Sequence, residues 1–286
     1  GNLSKIQYWS FGQIKLNGNI PKELGNFSSL LNLNLSYNQL SGNIPPELSK
    51  INSSFSKSFY LSLNNNLLTG SIPKKFGDFS SSLYALNLND NQLSGSIPTE
   101  LGNLQYLHIL DLSNNMLTGN IPKEFGNLAS LAVLNLNNNQ LTGSIPKEIG
   151  NIKPLFRLRL TKNKLTGNIP AELGNLINIE YLYLDSNQLK GNIPADLGNC
   201  AFIFYLFLNN NQLSGRIPPE LANIQRLNHL DLSNNQLTGK IPNELGKIKN
   251  LQVLYLDSNK LSGSIPNNLG NNALLYALYL NNNELT

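Results

Sequence analysis

Apolar and polar positions alternate in a short stretch that recurs along the whole chain. In one copy, Leu110 and Leu112 alternate with Ile109, Asp111 and Ser113. A period of two predicts a β-strand, with the leucines on one side and the other three residues on the opposite side. We therefore expect each copy to contribute one strand that has its leucines in a core and its other side chains on a surface.

An Ile-Pro dipeptide marks the copies at nearly constant spacing. Successive prolines lie 24 residues apart, except for 28 residues from Pro45 to Pro73 and 25 from Pro73 to Pro98. A fixed period of this length is typical of a solenoid, in which each copy forms one coil and stacks on its neighbour. About twelve coils would then share one parallel sheet. We expect the extra residues, within 49–59 and 79–83, to bulge on the outer side.

An asparagine follows the strand at the same place in each period. The side-chain amide both donates and accepts hydrogen bonds, so it can satisfy backbone groups that a buried turn leaves unpaired. We expect these residues to form a structural ladder, made of Asn38, Asn66, Asn91, Asn115, Asn139, Asn163, Asn187, Asn211, Asn235, Asn259 and Asn283.

The second half of each copy contains a glycine and the proline. Gly119 allows a positive φ or a close approach of two chains, and Pro122 fixes φ and stops strand propagation. The following stretch, 123–128, has room for about one helical or 3₁₀ turn. Each coil is therefore predicted to pair one strand with one short helical turn.

Composition excludes several classes of protein. Charged residues make up 13% of the chain and the net charge is +4, which is too small and too scattered a basic excess for a nucleic-acid-binding surface. The longest apolar run, 200–208, is less than half of the roughly 20 residues that span a bilayer. The lone Cys200 takes a position that is Leu in other copies, so we predict a buried side chain.

The pattern Leu-x-x-Leu-x-Leu-x-x-Asn-x-Leu-x-Gly-x-Ile-Pro resembles the plant-type leucine-rich repeat, and residues 117–122 match its second half. The resemblance implies an α/β leucine-rich-repeat solenoid that is curved and twisted right-handed. Its parallel β-sheet would lie on the concave face and its 3₁₀ or helical turns on the convex side. We expect one such domain over residues 1–286, as a fragment of a longer array without its terminal caps.

Proteins with this repeat include ectodomains of plant receptor kinases, receptor-like proteins and polygalacturonase-inhibiting proteins. The resemblance implies an extracellular or cell-surface location, N-glycosylation, and a peptide or protein ligand on the concave face. The chain departs from the plant proteins because it lacks the paired-cysteine caps.

The outward strand positions differ along the chain. From the second to the seventh coil they are mainly small and polar, and Tyr60 is the only aromatic residue among them. From the eighth coil onward they carry rings, with His229 and Asp231 between them; the rings are Tyr181, Tyr183, Tyr205, Phe207, Tyr255 and Tyr279. Exposed aromatic residues on adjoining coils are typical of recognition surfaces. The alternative is that Tyr and Phe simply suit strands.

Two arginines precede these rings. Arg157 and Arg159 lie two apart on one strand, hence on one side, and Lys162 follows at the strand end. Two adjacent guanidinium groups can hold a carboxylate through charge-assisted hydrogen bonds. The Arg-x-Arg also resembles the motif with which some plant peptide-hormone receptor kinases grip the free C-terminus of their peptide. The alternative is a solvated basic spot that Glu180 and Asp185 offset.

Four glycosylation motifs begin at Asn2, Asn26, Asn34 and Asn52, although so Asn- and Ser-rich a chain produces some by chance. Catalysis would need a nucleophile with a base, paired carboxylates or metal ligands, and the chain offers only His108 and His229 in distant coils. We therefore predict no enzymatic activity, no metal and no cofactor.

Two alternatives to a ligand-binding module remain open. One is a structural or adhesive surface protein that assembles laterally. The other is ice or glycan binding by a Thr and Ser ladder beside the Gly-x-Ile-Pro segment, which Lys190, Arg216 and Lys240 interrupt.

Overall fold

The computed structural model describes residues 5–27, 29–51, 58–79 and 83–286. The chain forms two compact units, Gly1–Leu141 and Thr142–Thr286. In both units, a typical coil carries a face strand, an asparagine turn and a 3₁₀ helix, and most coils add a second short strand; the first coil has Ile14 at the asparagine position, and no described 3₁₀ helix follows the last face strand. Within the described ranges, no helix is both long and apolar enough to cross a membrane.

The first unit contains a parallel sheet of face strands, each paired with the strand of the next coil. Its strands are Tyr8–Ser10, Asn32–Asn34, Phe59–Ser62, Leu83–Asn87, Ile109–Asp111 and Val133–Asn135. The second strands of these coils are Asn17–Asn19, Gln39–Asn43, Leu67–Thr69, Ser94–Ser96 and Met116–Thr118. The extra residue expected within 79–83 and the insertion within 49–59 fall largely outside the described residues.

The second unit repeats this design, and its face strands pair without the register shift found in the first unit. Its face strands are Arg157–Arg159, Tyr181–Tyr183, Tyr205–Phe207, His229–Asp231, Val253–Tyr255 and Ala277–Tyr279. Its second strands are Lys190–Asn192, Gln212–Gly215, Gln236–Gly239, Lys260–Gly263 and Glu284–Leu285.

The predicted helical turns are confirmed as 3₁₀ helices that begin directly after the Ile-Pro proline. In the first unit they are Lys22–Asn26, Pro46–Lys50, Lys74–Asp78, Thr99–Asn103 and Lys123–Asn127. In the second unit they are Lys147–Asn151, Ala171–Asn175, Ala195–Asn199, Pro219–Asn223, Asn243–Lys247 and Asn267–Asn271. Gly119 has a φ of 74°, which confirms the need for glycine before the proline.

Leucine and isoleucine side chains fill the interior of the coils. Leu110 and Leu112 are fully buried, as the period of two predicts. Cys200 is also fully buried, and burial raises the pKa of its thiol to about 11. It therefore acts as a small apolar residue of the core.

The asparagine ladder is confirmed in its hydrogen bonds. Each of the eleven amides donates to the carbonyl oxygen of the leucine three residues earlier. Asn115 also donates to the Leu88 carbonyl of the preceding coil at 3.0 Å, and its Oδ1 accepts the Leu93 N–H at 3.0 Å. One side chain thus joins the backbones of two coils.

The prediction that the outward strand positions are exposed is wrong at several polar residues, namely Ser36, Ser113 and Asn135. Ser113 was expected to face solvent but is only 4% exposed. Its Oγ donates to Asp111 Oδ1 at 2.6 Å and accepts from Asn135 Nδ2 at 3.1 Å. The short hydroxyl lies beneath the amide and carboxylate of its neighbours, so alternation alone could not reveal its burial.

Candidate ligand-binding face

The in-register strands of the second unit bring the predicted ligand-binding residues into two adjacent columns. The first column runs from Arg157 through Tyr181 and Tyr205 to His229. The second runs through Arg159, Tyr183, Phe207, Asp231, Tyr255 and Tyr279. We call the side chains of these ten residues the aromatic face. The structure places all ten on one side of the sheet, as the sequence predicts.

The rings of the aromatic face pack on one another across neighbouring strands. Tyr183 stacks on Phe207 with ring centroids 4.9 Å apart, and Tyr181 stacks on Tyr205 at 5.6 Å. Farther along, the Tyr255 and Tyr279 rings stack at 4.7 Å. Because each ring limits the rotation of the next, these side chains are held largely in place without a ligand.

The two arginines lie over the first rings of these stacks. The guanidinium carbon of Arg157 is 4.8 Å from the Tyr181 ring centroid, and that of Arg159 is 5.2 Å from Tyr183. Both distances fall within the roughly 6 Å typical of cation–π contacts. The Nε–H groups of both arginines are buried and donate to no hydrogen-bond acceptor among the described residues.

The neighbouring carboxylates do not neutralise the arginine pair. Within the part of the chain that the structure describes, the one ion pair within 4.0 Å is Lys74–Glu100. Asp185 instead accepts a hydrogen bond from Thr161 Oγ1 at 2.7 Å, and burial raises the pKa of its carboxyl. The alternative of a basic spot offset by Glu180 and Asp185 therefore gains no support from direct pairing.

Lys162 lies beyond the strand end, with an exposed side chain and a left-handed φ of 54°. Its backbone N–H donates to the Asp185 carbonyl oxygen at 3.2 Å. The structure thus places Lys162 at the margin of the arginine pair, where its charge also acts on the Asp185 carboxyl.

His229 and Asp231 lie in adjacent columns beyond the tyrosines. The His229 ring packs on Tyr205 at 4.9 Å, burial lowers the pKa of its imidazole, and its Nδ1 is buried without a partner. Asp231 accepts bonds from the N–H and Oγ of Ser233, and burial raises the pKa of its carboxyl. Among the described residues, no group of three or more His, Cys, Asp or Glu could hold a metal ion.

The first unit carries an aromatic group that sequence analysis missed. Tyr84 stacks on His108 at 4.1 Å and packs on Tyr60 at 5.1 Å, so Tyr60 is not an isolated ring. The strand register shifts between Phe59 and Tyr60, and Tyr60 pairs with Ala85 rather than Tyr84. The 25-residue spacing in this copy is the one sequence signal that could have indicated the shift.

The candidate glycosylation sites are only partly described. Asn26 is exposed at the end of a 3₁₀ helix. Asn34 lies on a face strand, and its Oδ1 accepts from the N–H and Oγ of Ser36. Asn2 and Asn52 lie outside the described residues.

Comparisons with known proteins agree with the repeat. A leucine-rich repeat region matches residues 81–200, a model of two leucine-rich-repeat copies matches 225–273, and the single repeat matches 29–51 and 203–224. Comparison with curated protein sequences gives no match.

Several solved structures are similar to this chain. A TDR receptor is 31% identical with a TM-score of 0.93, over 99% of this chain and 48% of that chain. The Arabidopsis receptor kinase HAESA, in complex with the peptide hormone IDA and the co-receptor SERK1, is 37% identical with a TM-score of 0.84, over 100% of this chain and 51% of that chain. The chain thus spans about half the length of these receptor structures.

A shorter relative is covered more completely. An LRR protein of Leptospira interrogans is 34% identical with a TM-score of 0.78, over 98% of this chain and 68% of that chain. Because motif, coil geometry and relatives agree, the chain belongs to the leucine-rich-repeat family and carries the plant-type form of the repeat.

Proposed function

We propose that this chain is an extracellular recognition module whose aromatic face binds a peptide that ends in a free carboxylate. The observation that carries the proposal is the arginine pair, which lies beside half-buried tyrosines and makes no ion pair with a carboxylate among the described residues. The extracellular location and a peptide partner are further supported by similarity to HAESA, whose structure contains a peptide hormone and a co-receptor.

The arrangement suits a carboxylate for electrostatic reasons. Arg157 and Arg159 lie on one short strand, so their positive charges add at one place on the face. Each charge-assisted hydrogen bond contributes about 1.5–3 kcal/mol when sheltered from water. The stacked rings beside them supply both shelter and a contact area of several side chains.

The rings suit an extended peptide that runs across the strands. Side chains of such a peptide would meet Tyr181 and Tyr183 first, then Tyr205 and Phe207 on the next strand. Because these rings already restrain one another, few rotamers remain to be frozen when a ligand binds. Recognition would therefore combine a fixed charged end with a preformed apolar surface.

The test uses two pools of random 12-residue peptides, one with free C-termini and one amidated, offered to the purified protein and analysed by mass spectrometry. We expect enrichment from the free-carboxylate pool only. In calorimetry with the selected peptides, Arg157→Ala combined with Arg159→Ala should lower affinity by a factor of about 10–100, equivalent to about 1.4–2.7 kcal/mol.

Arg226→Ala is the matched control, because Arg226 also stacks on a ring, at 4.7 Å from Phe202, but lies outside the aromatic face. It should leave affinity unchanged. Equal enrichment from the amidated pool, or full affinity in the double arginine variant, would refute the proposal.

A further inference from the structure

A second candidate site lies on the face of the first unit, between two tyrosines. Tyr8, Asn32 and Tyr60 occupy the same register position on three successive strands. A cleft of about 330 Å³ at this place is lined by Tyr8, Leu31, Asn32, Ser58 and Tyr60. Its volume is near the lower end of the roughly 300–1,000 Å³ of small-molecule sites, which fits one ring-sized group.

The two rings that flank the cleft are accessible to a ligand. Tyr8 is 71% exposed and Tyr60 is 37% exposed. The side of Tyr60 away from the cleft packs on Tyr84, which in turn stacks on His108 with an interplanar angle of 13°. His108 Nδ1 lies 2.8 Å from the Tyr106 carbonyl oxygen, a contact that orients the imidazole. Tyr60 is therefore backed by two further rings.

The spacing of the tyrosines matches a single inserted ring. Adjacent strands lie about 4.8 Å apart, so the positions of Tyr8 and Tyr60 are about 9.6 Å apart across Asn32. A ring midway between them would lie about 4.8 Å from each, within the roughly 4.5–7 Å of favourable ring contacts. Asn32 would then lie below the edge of the inserted ring.

The chemistry of the surroundings selects the class of ring. The neighbouring outward positions on these strands are Ser10, Asn34 and Ser62, and all three carry amide or hydroxyl side chains. Amide and hydroxyl groups both donate and accept hydrogen bonds, as the vicinal hydroxyls of a sugar require. The C–H groups on a pyranose face are weakly positive and suit the negative face of a tyrosine ring. A purely aromatic ligand would leave Asn32 without a hydrogen-bond partner.

We propose that the first unit binds a neutral oligosaccharide, with one pyranose ring held between Tyr8 and Tyr60 and hydrogen-bonded to the Asn32 amide. This site is separate from the aromatic face, and its occupant differs in chemistry from a carboxylate-ended peptide. The two proposals can therefore fail independently.

The test measures calorimetric binding of cellohexaose, xylohexaose and mannohexaose to the whole chain. We expect saturable binding of at least one of them. Tyr8→Ala and Tyr60→Ala should each weaken it about tenfold, because each removes one of the two ring contacts. Tyr8→Phe should retain affinity within about threefold, since the ring face persists.

Tyr106→Ala is the matched control, since Tyr106 is exposed in the same unit but lies off the face strands. It should bind as the unaltered protein does. Tyr60→Ala removes a stacking contact and can disturb the fold, so Tyr8→Ala, at a highly exposed ring, decides the outcome. The proposal is overturned if none of the three hexasaccharides saturates the protein, or if Tyr8→Ala and Tyr106→Ala bind equally well. Saturation by N-acetyl-tryptophanamide in their place would overturn it in favour of an aromatic side chain.

Discussion

At the scale of single residues, the ladder asparagines make hydrogen bonds between coils that the pairing of strands does not provide. Asn115 is 8% exposed. Its side-chain NH₂ donates to the carbonyl oxygens of Leu88 in the preceding coil and Leu112 in its own coil, and its Oδ1 accepts the N–H of Leu93. If the side chain were removed, a buried N–H and buried carbonyl groups would each lose a partner that water cannot readily replace.

We predict that Asn115→Ala lowers the free energy of unfolding by about 2–4 kcal/mol, because each buried unsatisfied group costs about 1–3 kcal/mol. Urea denaturation followed by circular dichroism measures the change. Asn38→Ala is the control, because Asn38 Oδ1 accepts the N–H groups of Ile14 and Leu16 in the first coil, which is more exposed to water. Its loss should be clearly smaller, and equal losses in the two variants would show that burial does not set the contribution.

Sequence was sufficient to place residues whose role follows from the period. The ladder asparagines, the inward leucines and the shared side of Arg157 and Tyr181 all follow from spacing alone. The stacking of the arginines on the tyrosines did not follow, because it depends on rotamers that neighbouring coils select. Tyr84 was missed because the local spacing of 25 residues leaves two alignments of its strand equally consistent with the sequence.

At the scale of elements, neighbouring 3₁₀ helices are packed so closely that most of them carry a glycine where they meet. A Cβ added at Gly174 would lie 2.4 Å from the Asp196 carbonyl oxygen on the next 3₁₀ helix. Since that atom is backbone, the clash can be relieved only by separating the two coils. The structure contains Ser49 and Ala222 at the corresponding places in Pro46–Lys50 and Pro219–Asn223, so such a separation is tolerable at two coils.

We predict that Gly174→Ala destabilises the protein by about 1–3 kcal/mol through this overpacking. Gly270→Ala is the matched control, because Gly270 holds the same place in the last 3₁₀ helix and has no atom within 4 Å of its added Cβ. Thermal unfolding of both variants makes the comparison. Equal melting temperatures of the Gly174→Ala and Gly270→Ala proteins would show that the coils separate without a loss of stability.

At the scale of the whole molecule, stability should depend on complete coils more than on the number of residues. Each coil of the second unit closes by pairing its face strand with those of its neighbours and by exchanging asparagine bonds with them. In a repeat protein, stability is approximately a sum over coils and the interfaces between them. Removing one full period therefore removes one coil and leaves every remaining interface of the same kind.

We predict that deletion of 219–242, which joins Pro218 to Asn243, gives a protein that still unfolds cooperatively in urea. Its m-value should fall in proportion to the residues removed, because m follows the surface exposed on unfolding. Deletion of only 231–242 is the control. It joins Leu230 to Asn243, leaves a face strand without its asparagine turn, and so exposes leucines that a complete coil buries. The smaller deletion should therefore have the lower urea midpoint, and the opposite order would show that the coil is not the unit of stability.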